Sequence, residues 1–316
     1  MVSRHTLTLA VVFGASLFPL LAQDGQSPAL NPGRIIYQDY LNSSEHWSDS
    51  SLATTPNVQQ IRGPFHAETV TLQLDHLPQH QWMKVSFNLL IRGTWDGSSK
   101  IWGPDLWSLT SRGGPRLIFA TICNMGAWAV NDEQSFPDDY TAPVSYPART
   151  GAAEGPVQLD SYQAVHGGLY TTYPIEVVFP HTGGSVTLDF QGIYDDPEAE
   201  QAWGLNSVSV AISSESFTSD AALLPGLWRD LASPDGVTAN EALWKFVGAG
   251  DLAIAFLQDK VAALKDGSEP SPKAATGQDQ KLMGLRLRRA DRIARIIEGA
   301  QSESLCFSFD QFFPEY

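Results

Sequence analysis

The chain has 316 residues, 43% of them hydrophobic, and a formal net charge of -15. That length is enough for two units with substantial cores. The acidic balance speaks against nucleic acid or an anionic membrane surface as partner, since both require a basic face.

Residues 1–22 read as a secretory signal peptide: Arg4 and His5 precede an apolar run from Leu7 to Leu21 broken by Pro19, and Ala22 is a small residue at the cleavage point. The run is short for a membrane anchor, and no later window is apolar enough to span a bilayer. The sequence therefore predicts no membrane span after signal removal and a secreted, periplasmic or other extracytoplasmic location. A cytoplasmic protein with a buried N-terminal segment is the alternative.

Between residues 30 and 213 apolar and polar residues alternate with period two in runs bounded by Gly, Pro, Asn or Asp. Strands are predicted at Arg34 to Tyr37, Gln59 to Arg62, Glu68 to Leu74, Trp82 to Ile91 and Leu106 to Thr110. Others are predicted at Arg116 to Thr121, Pro156 to Tyr162, Leu169 to Phe179, Ser185 to Gln191 and Leu205 to Ile212. Their number and spacing predict an all-β antiparallel sandwich of jelly-roll type. His76 and His80 flank a turn containing Pro78, so they are expected as solvent-exposed turn residues rather than metal ligands.

The connection W-D-G-S-S-K-I-W-G-P-D-L-W, from Trp95 to Trp107, concentrates aromatic and acidic side chains that cannot all be buried. Exposed indoles stack on sugar rings, and nearby Asp side chains accept from hydroxyls. Trp95, Asp96, Trp102 and Asp105 are therefore candidate ligand-binding residues. The alternatives are that Trp107 closes the end of the sandwich and that Asp96 and Asp105 close tight turns, Asp96-Gly97 being a strong turn dipeptide. A second long connection, from Asn124 to Thr150, carries Trp128, Phe136, Tyr140 and Tyr146 among Asp132, Glu133, Asp138 and Asp139. Its aromatic content predicts an ordered loop that packs on the sandwich or rims a site, with Trp128 and Tyr140 as further ligand candidates.

Two cysteines, Cys123 and Cys306, are too few for a disulfide scaffold. In an oxidising compartment they can form one bridge between tail and β region; two unpaired buried thiols are the reading the spacing favours. No G-x-S-x-G, no H-E-x-x-H and no strand carrying paired carboxylates is present, so no catalytic residues are predicted.

The ordered pieces I-Y-Q-D-Y-L-N-S-S-E-H-W-S (36–48), G-P-F-H-A-E-T-V-T-L (63–72), W-D-G through G-P-D-L-W, Q-S-F-P-D-D-Y (134–140), R-T-G-A (149–152), F-P-H-T (179–182) and W-G-L-N-S-V (203–208) resemble secreted lectin-like, carbohydrate-binding-like β-sandwich modules of planctomycete-type bacteria. The resemblance spans most of residues 35–212. It implies a structural calcium whose matching positions here are Leu41 and Asn206, with Asp39 and Asn206 as the remaining ligands. Leu41 and Asn206 depart from the pattern, each removing a carboxylate that a hard cation would use.

Beyond a polar bridge at Ser213 to Thr218 the apolar spacing shifts to three and four, predicting a small α-helical domain over 219–300 and a tail over 301–316. Ser219-Asp220 should cap a first helix that stops at Pro234-Asp235-Gly236, and Thr238 with Glu241 should form a capping box for the second. Asp251 should start a third, and Lys265 to Gln278 should be a mobile connection. A final amphipathic helix, Leu282 to Glu298, carries Arg286, Arg288, Arg289, Arg292 and Arg295. This basic patch is expected as a solvated face, with docking on the sandwich or on an acidic partner as alternatives. The helical region resembles HEAT-like modules, which implies packing or association with a protein partner.

Together these features predict an exported, non-catalytic binding module, with a glycan or cell-surface polymer as ligand. A structural or assembly protein and a glycoside-acting hydrolase are the rival readings.

Overall fold

The computed structural model describes residues 33–56, 59–125, 133–142, 144–153, 170–194, 201–270 and 275–299. The signal peptide, Trp128, the strand expected at Pro156 to Tyr162, and Cys306 lie outside these residues. The strands are β1 (Arg34–Gln38), β2 (Leu52–Thr54), β3 (Gln60–Phe65), β4 (Thr69–Asp75), β5 (Trp82–Arg92), β6 (Leu106–Ser111), β7 (Arg116–Thr121), β8 (Glu133–Gln134), β9 (Tyr146–Pro147), β10 (Tyr170–Pro180), β11 (Ser185–Ile193) and β12 (Ala202–Ser213).

One sheet runs β10-β5-β12-β3-β2, with β1 also on β12; the other runs β4-β11-β6-β7, and β8 with β9 makes a small ribbon. Every pairing among them is antiparallel. The period-two alternation decides which side of each strand faces inward. Val85, Phe87, Leu89 and Ile91 of β5 are buried, and so are Val70, Leu72 and Leu74 of β4 and Val186, Leu188 and Phe190 of β11. Phe87 of the first sheet lies 5.5 Å from Phe190 and 5.7 Å from Trp107 of the second, ring centroid to ring centroid. The two sheets therefore pack face to face as an antiparallel sandwich.

After a short 3₁₀ turn (Ala221–Leu223) come α1 (Leu224–Asp230), α2 (Gly236–Val247), α3 (Asp251–Asp266) and α4 (Gly277–Glu298). Asp220 caps the 3₁₀ turn, accepting from the Ala222 N–H. The expected Thr238–Glu241 capping box is not the start of α2. Asp235 has the extended backbone an N-cap needs and accepts from the N–H groups of Val237 and Thr238, so the residues read as a stop signal begin the next helix instead.

The helices do not stand apart. Their buried residues join those of the sandwich in one continuous apolar core, with α2 and α4 against β10. This packing covers Val178, on the outward side of β10, which is only 4% exposed. Strand β7 ends its sheet, and its outward carbonyls are satisfied in sequence. Leu117 O accepts from Arg292 of α4, Phe119 O from the Tyr140 N–H, and Thr121 O from the Phe136 N–H. An edge that would otherwise offer free backbone groups to another chain is thus capped from within.

Candidate functional site

The connection between β5 and β6 sorts its tryptophans by burial. Trp95 and Trp107 are fully buried, whereas Trp102 is 70% exposed and its neighbour Ile101 79%. Trp95 meets Tyr194 edge to face at 5.0 Å and plugs the end of the sandwich, so its indole offers no face to a ligand. The base of the loop is held by Asp105, 1% exposed, whose carboxylate accepts from the Asp96 N–H and from Gln201 Nε2. Asp105 therefore fastens the loop from inside rather than facing outward. Asp96 is half-buried; its carbonyl accepts from the Ser99 N–H, the turn expected of Asp96-Gly97. Gly97 has φ +61°, and a side chain there would collide with the Glu133 carbonyl of the second loop. At the tip, Ser99 Oγ accepts from the N–H groups of Ile101 at 3.3 Å and Trp102 at 3.2 Å, fixing the backbone that carries the exposed pair.

The second loop is ordered around one buried amide. Gln134 accepts from the N–H groups of Cys123 and Arg149 and donates to the carbonyls of Phe136 and Thr150, which uses its full hydrogen-bonding capacity. Beyond it, Asp138 turns inward to the guanidinium of Arg289, a residue of α4 that is 3% exposed. Arg289 Nη2 lies 2.6 Å from Asp138 Oδ2 and Nε lies 3.0 Å from Oδ1. Nη1 donates to the carbonyls of Leu231 and Ser233, and the Tyr146 hydroxyl donates to Asp138 while accepting from Arg289. Burial works against the charge of Arg289, but the hydrogen bonds and charge of Asp138 outweigh it and hold its pKa above the ordinary arginine range. The Tyr146 hydroxyl is pushed upward, by burial first and the Asp138 charge second. Gly236 opens α2 directly against the Tyr146 ring, where a Cβ would sit 2.7 Å from Cζ.

The expected solvated arginine face of α4 is thus corrected in large part: Arg289 is an internal partner of the sandwich, and Arg292 reaches the β7 edge. Tyr140 is 39% exposed and packs edge to face on Phe119, over which Arg116 lies at 4.0 Å.

One further expectation is overturned, and the two calcium candidates have protein partners. His80 is not solvent-exposed but 3% exposed, its Nδ1 2.6 Å from Pro78 O and its Nε2 2.7 Å from Nδ1 of His181, with the rings stacked. Asp39 is buried too, and both its oxygens accept from Arg62, at 2.8 Å from Nε and 3.0 Å from Nη2. A guanidinium therefore already neutralises the carboxylate assigned to calcium. Asn206 Oδ1 accepts from Asn88 Nδ2 at 3.0 Å. No group of three or more His, Cys, Asp or Glu suited to a metal occurs among the described residues. Cys123 is buried.

A cleft of about 330 Å³ lies between the outward side of β5 and β10 and helix α2, with Trp244 and Phe136 among its lining. Its two glutamates, Glu176 and Glu241, are exposed and paired with Lys84 and Lys245. Neither is the buried, unpaired acid that a glycosidase's proton donor requires.

No protein-family model matches the chain, and no curated protein matches it. Among solved structures, it is similar in part to dimeric latent PorU from Porphyromonas gingivalis, at 13% identity and TM-score 0.28, covering 48% of this chain and 10% of that one. It is also similar to the carbohydrate-binding module CBM6cm-2 of Cellvibrio mixtus lichenase 5A, in complex with cellotriose, at 12% identity and TM-score 0.27, covering 57% and 98%. A third is the CBM22-1 xylan-binding domain of Paenibacillus barcinonensis Xyn10C, at 10% identity and TM-score 0.26, covering 57% and 95%. Likenesses this slight carry no argument, and the functional reading rests on the side chains.

Sequence reasoning named Asp138 and Arg289 but did not join them. The available signal was five arginines on the last helix of an acidic chain, opposite a loop with consecutive aspartates.

Proposed function

We propose that this chain is an exported, non-catalytic carbohydrate-binding protein, a jelly-roll sandwich that takes its ligand on the Ile101–Trp102 tip, with the helical region serving packing. The observation that carries this reading is the 70% exposure of Trp102 on a loop whose base and tip are both tied down. A flat indole held in place loses little entropy on stacking against a pyranose ring. Asp105 is nearer in sequence but buried, so half-buried Asp96 is the acidic residue assigned to hydroxyl recognition, and Tyr140 offers a second aromatic face elsewhere on the surface.

The test is a glycan array probed with the wild type and Trp102→Ala. Wild type should be retained on a subset of neutral glycans and the variant should lose that retention while keeping its fold; equal retention of both would remove the proposal. One observation favours a second reading, an assembly protein: Ile101 is exposed beside Trp102 and is better suited to an apolar protein surface than to a sugar. That reading predicts self-association or protein capture that Ile101→Ser abolishes, with no glycan retained by either form.

A further inference from the structure

The two long loops meet at the end of β7, and a buried hydroxyl stands between them. Thr121, the last residue of β7, pairs with Leu106, the first of β6, and is fully buried. It clasps Ser135 of the second loop in both directions. Its N–H donates to Ser135 Oγ at 2.9 Å, its Oγ1 accepts from the Ser135 N–H at 2.7 Å, and its carbonyl accepts from the Phe136 N–H at 3.1 Å. The same Oγ1 lies 2.7 Å from Ser98 Oγ of the first loop. One hydroxyl thus bridges both loops. A valine would have nearly the same shape without the cost of burying a hydroxyl, so what the oxygen contributes is its bonds.

From Ser98 the constraint passes to the tip in two residues. Ser98 N–H donates to the Glu133 carbonyl at 2.8 Å, so its backbone and its side chain are both held by groups outside its own loop. Ser99 follows, and its Oγ accepts from the N–H groups of Ile101 and Trp102. The loop is closed behind them: Asp105 N–H donates to the Gly97 carbonyl at 3.0 Å, and a Cβ on Gly103 would stand 2.9 Å from that carbonyl. The second loop is itself anchored, since Asp138 N–H donates to the Ser135 carbonyl at 2.8 Å and the Asp138 carboxylate holds Arg289. Trp102 is 70% exposed, so packing does little to aim it, and its direction follows from where Ser98 and Ser99 are held.

We propose that Thr121 is a positioning residue for the ligand-binding tip: its hydroxyl seats the first loop on the second and so fixes the direction in which Trp102 presents its indole. A tip already held in its binding conformation avoids the ordering cost that a loose one incurs on association. The expected effect on affinity rests on the carbohydrate reading; the expected effect on the order of the tip does not.

Backbone ¹⁵N relaxation of the ligand-free full chain tests this. In wild type the amides of Ile101 and Trp102 should be as ordered as those of β5, with order parameters of about 0.85. In Thr121→Val they should drop toward the value of about 0.6 that marks a flexible backbone, while the amides of β4 and β11 keep theirs. Thr121→Ser, which restores the hydroxyl, should return the tip to its wild-type order. Thr71→Val serves as the control: it removes a threonine hydroxyl bonded to Asp189 at 2.8 Å, away from both loops, and should leave the tip unchanged. Should Thr121→Val fail to fold, Ser98→Ala, which removes the hydroxyl on the side of the first loop, carries the test. A merely structural Thr121 would lower the melting temperature and leave the order of the tip as it was. That result, or a tip that Thr121→Ser does not restore, overturns the proposal. In a second arm, the Kd for a glycan retained by wild type should rise about fivefold to tenfold in Thr121→Val and return in Thr121→Ser. A loosened tip with unchanged affinity also overturns the positioning role. If wild type retains no glycan, the carbohydrate reading falls, and the relaxation arm still decides whether Thr121 holds the tip.

Discussion

The two long connections of the sandwich have similar compositions and opposite uses. Both mix aromatic with acidic residues, and both touch the same strand end, where Ser98 N–H donates to the Glu133 carbonyl. In the first, acid and indole at the base turn inward and the tip, Ile101 and Trp102, is left to solvent. In the second, Asp138 and Tyr146 turn inward to Arg289 and bind the helices to the sandwich. The difference teaches that composition marks a loop as costly to leave disordered, while the partner on the other side decides whether it works as a surface or as a joint.

The strongest way to break this contrast is Asp138→Ala. It leaves Arg289 buried without its counter-charge and deprives Tyr146 of its acceptor, so destabilisation approaching about 5 kcal/mol is expected. Urea unfolding should show it; a loss under about 1 kcal/mol would mean that the joint is incidental. Trp95→Ala should be next, at about 3 kcal/mol or more, because it empties the end of the core against Tyr194. An unchanged melting temperature would contradict the assignment of Trp95 to the interior.

His80 and His181 lie outside both loops and pair with each other. Burial, and then the charge of His80, lower the pKa of His181 below the ordinary imidazole value. The neutral ring is the favoured form in the folded chain, so its contribution is complete above the unfolded pKa of about 6.5 and is lost as the pH falls through the folded value. Urea midpoints measured from pH 7.5 downward should fall in wild type and fall less in His181→Asn; parallel curves would argue against it. The smallest effect on stability belongs to Trp102→Ala, under about 0.5 kcal/mol, because nothing packs on an indole this exposed.

Much of the fold was legible. Alternation in Val70–Leu74 and Val85–Ile91 placed β4 and β5 with their inner faces, and the change of period after Ser213 placed the helices. The short β2 escaped because Leu52, Ala53 and Thr54 are too few to show a period, and β8 and β9 because two residues each show none. The site was legible only as a list of loop residues. Trp95 and Trp102 are the same residue type in one loop, and what separates them is Tyr194, which only the folded chain brings near. Arg289 likewise differs from Arg288 by one step of helical rotation, which aims it at Asp138. Asp39 was a cation-ligand candidate only through the family resemblance; Arg62 supplies a positive charge through strand pairing that sequence spacing does not reveal.

The most direct test of the surface assigned here is the indole N–H region of a ¹H–¹⁵N spectrum during titration with a glycan retained on the array. The Trp102 signal, identified by its loss in Trp102→Phe, should shift on saturation while those of Trp95 and Trp107 stay in place. A stationary Trp102 signal with movement at the buried indoles would contradict the account.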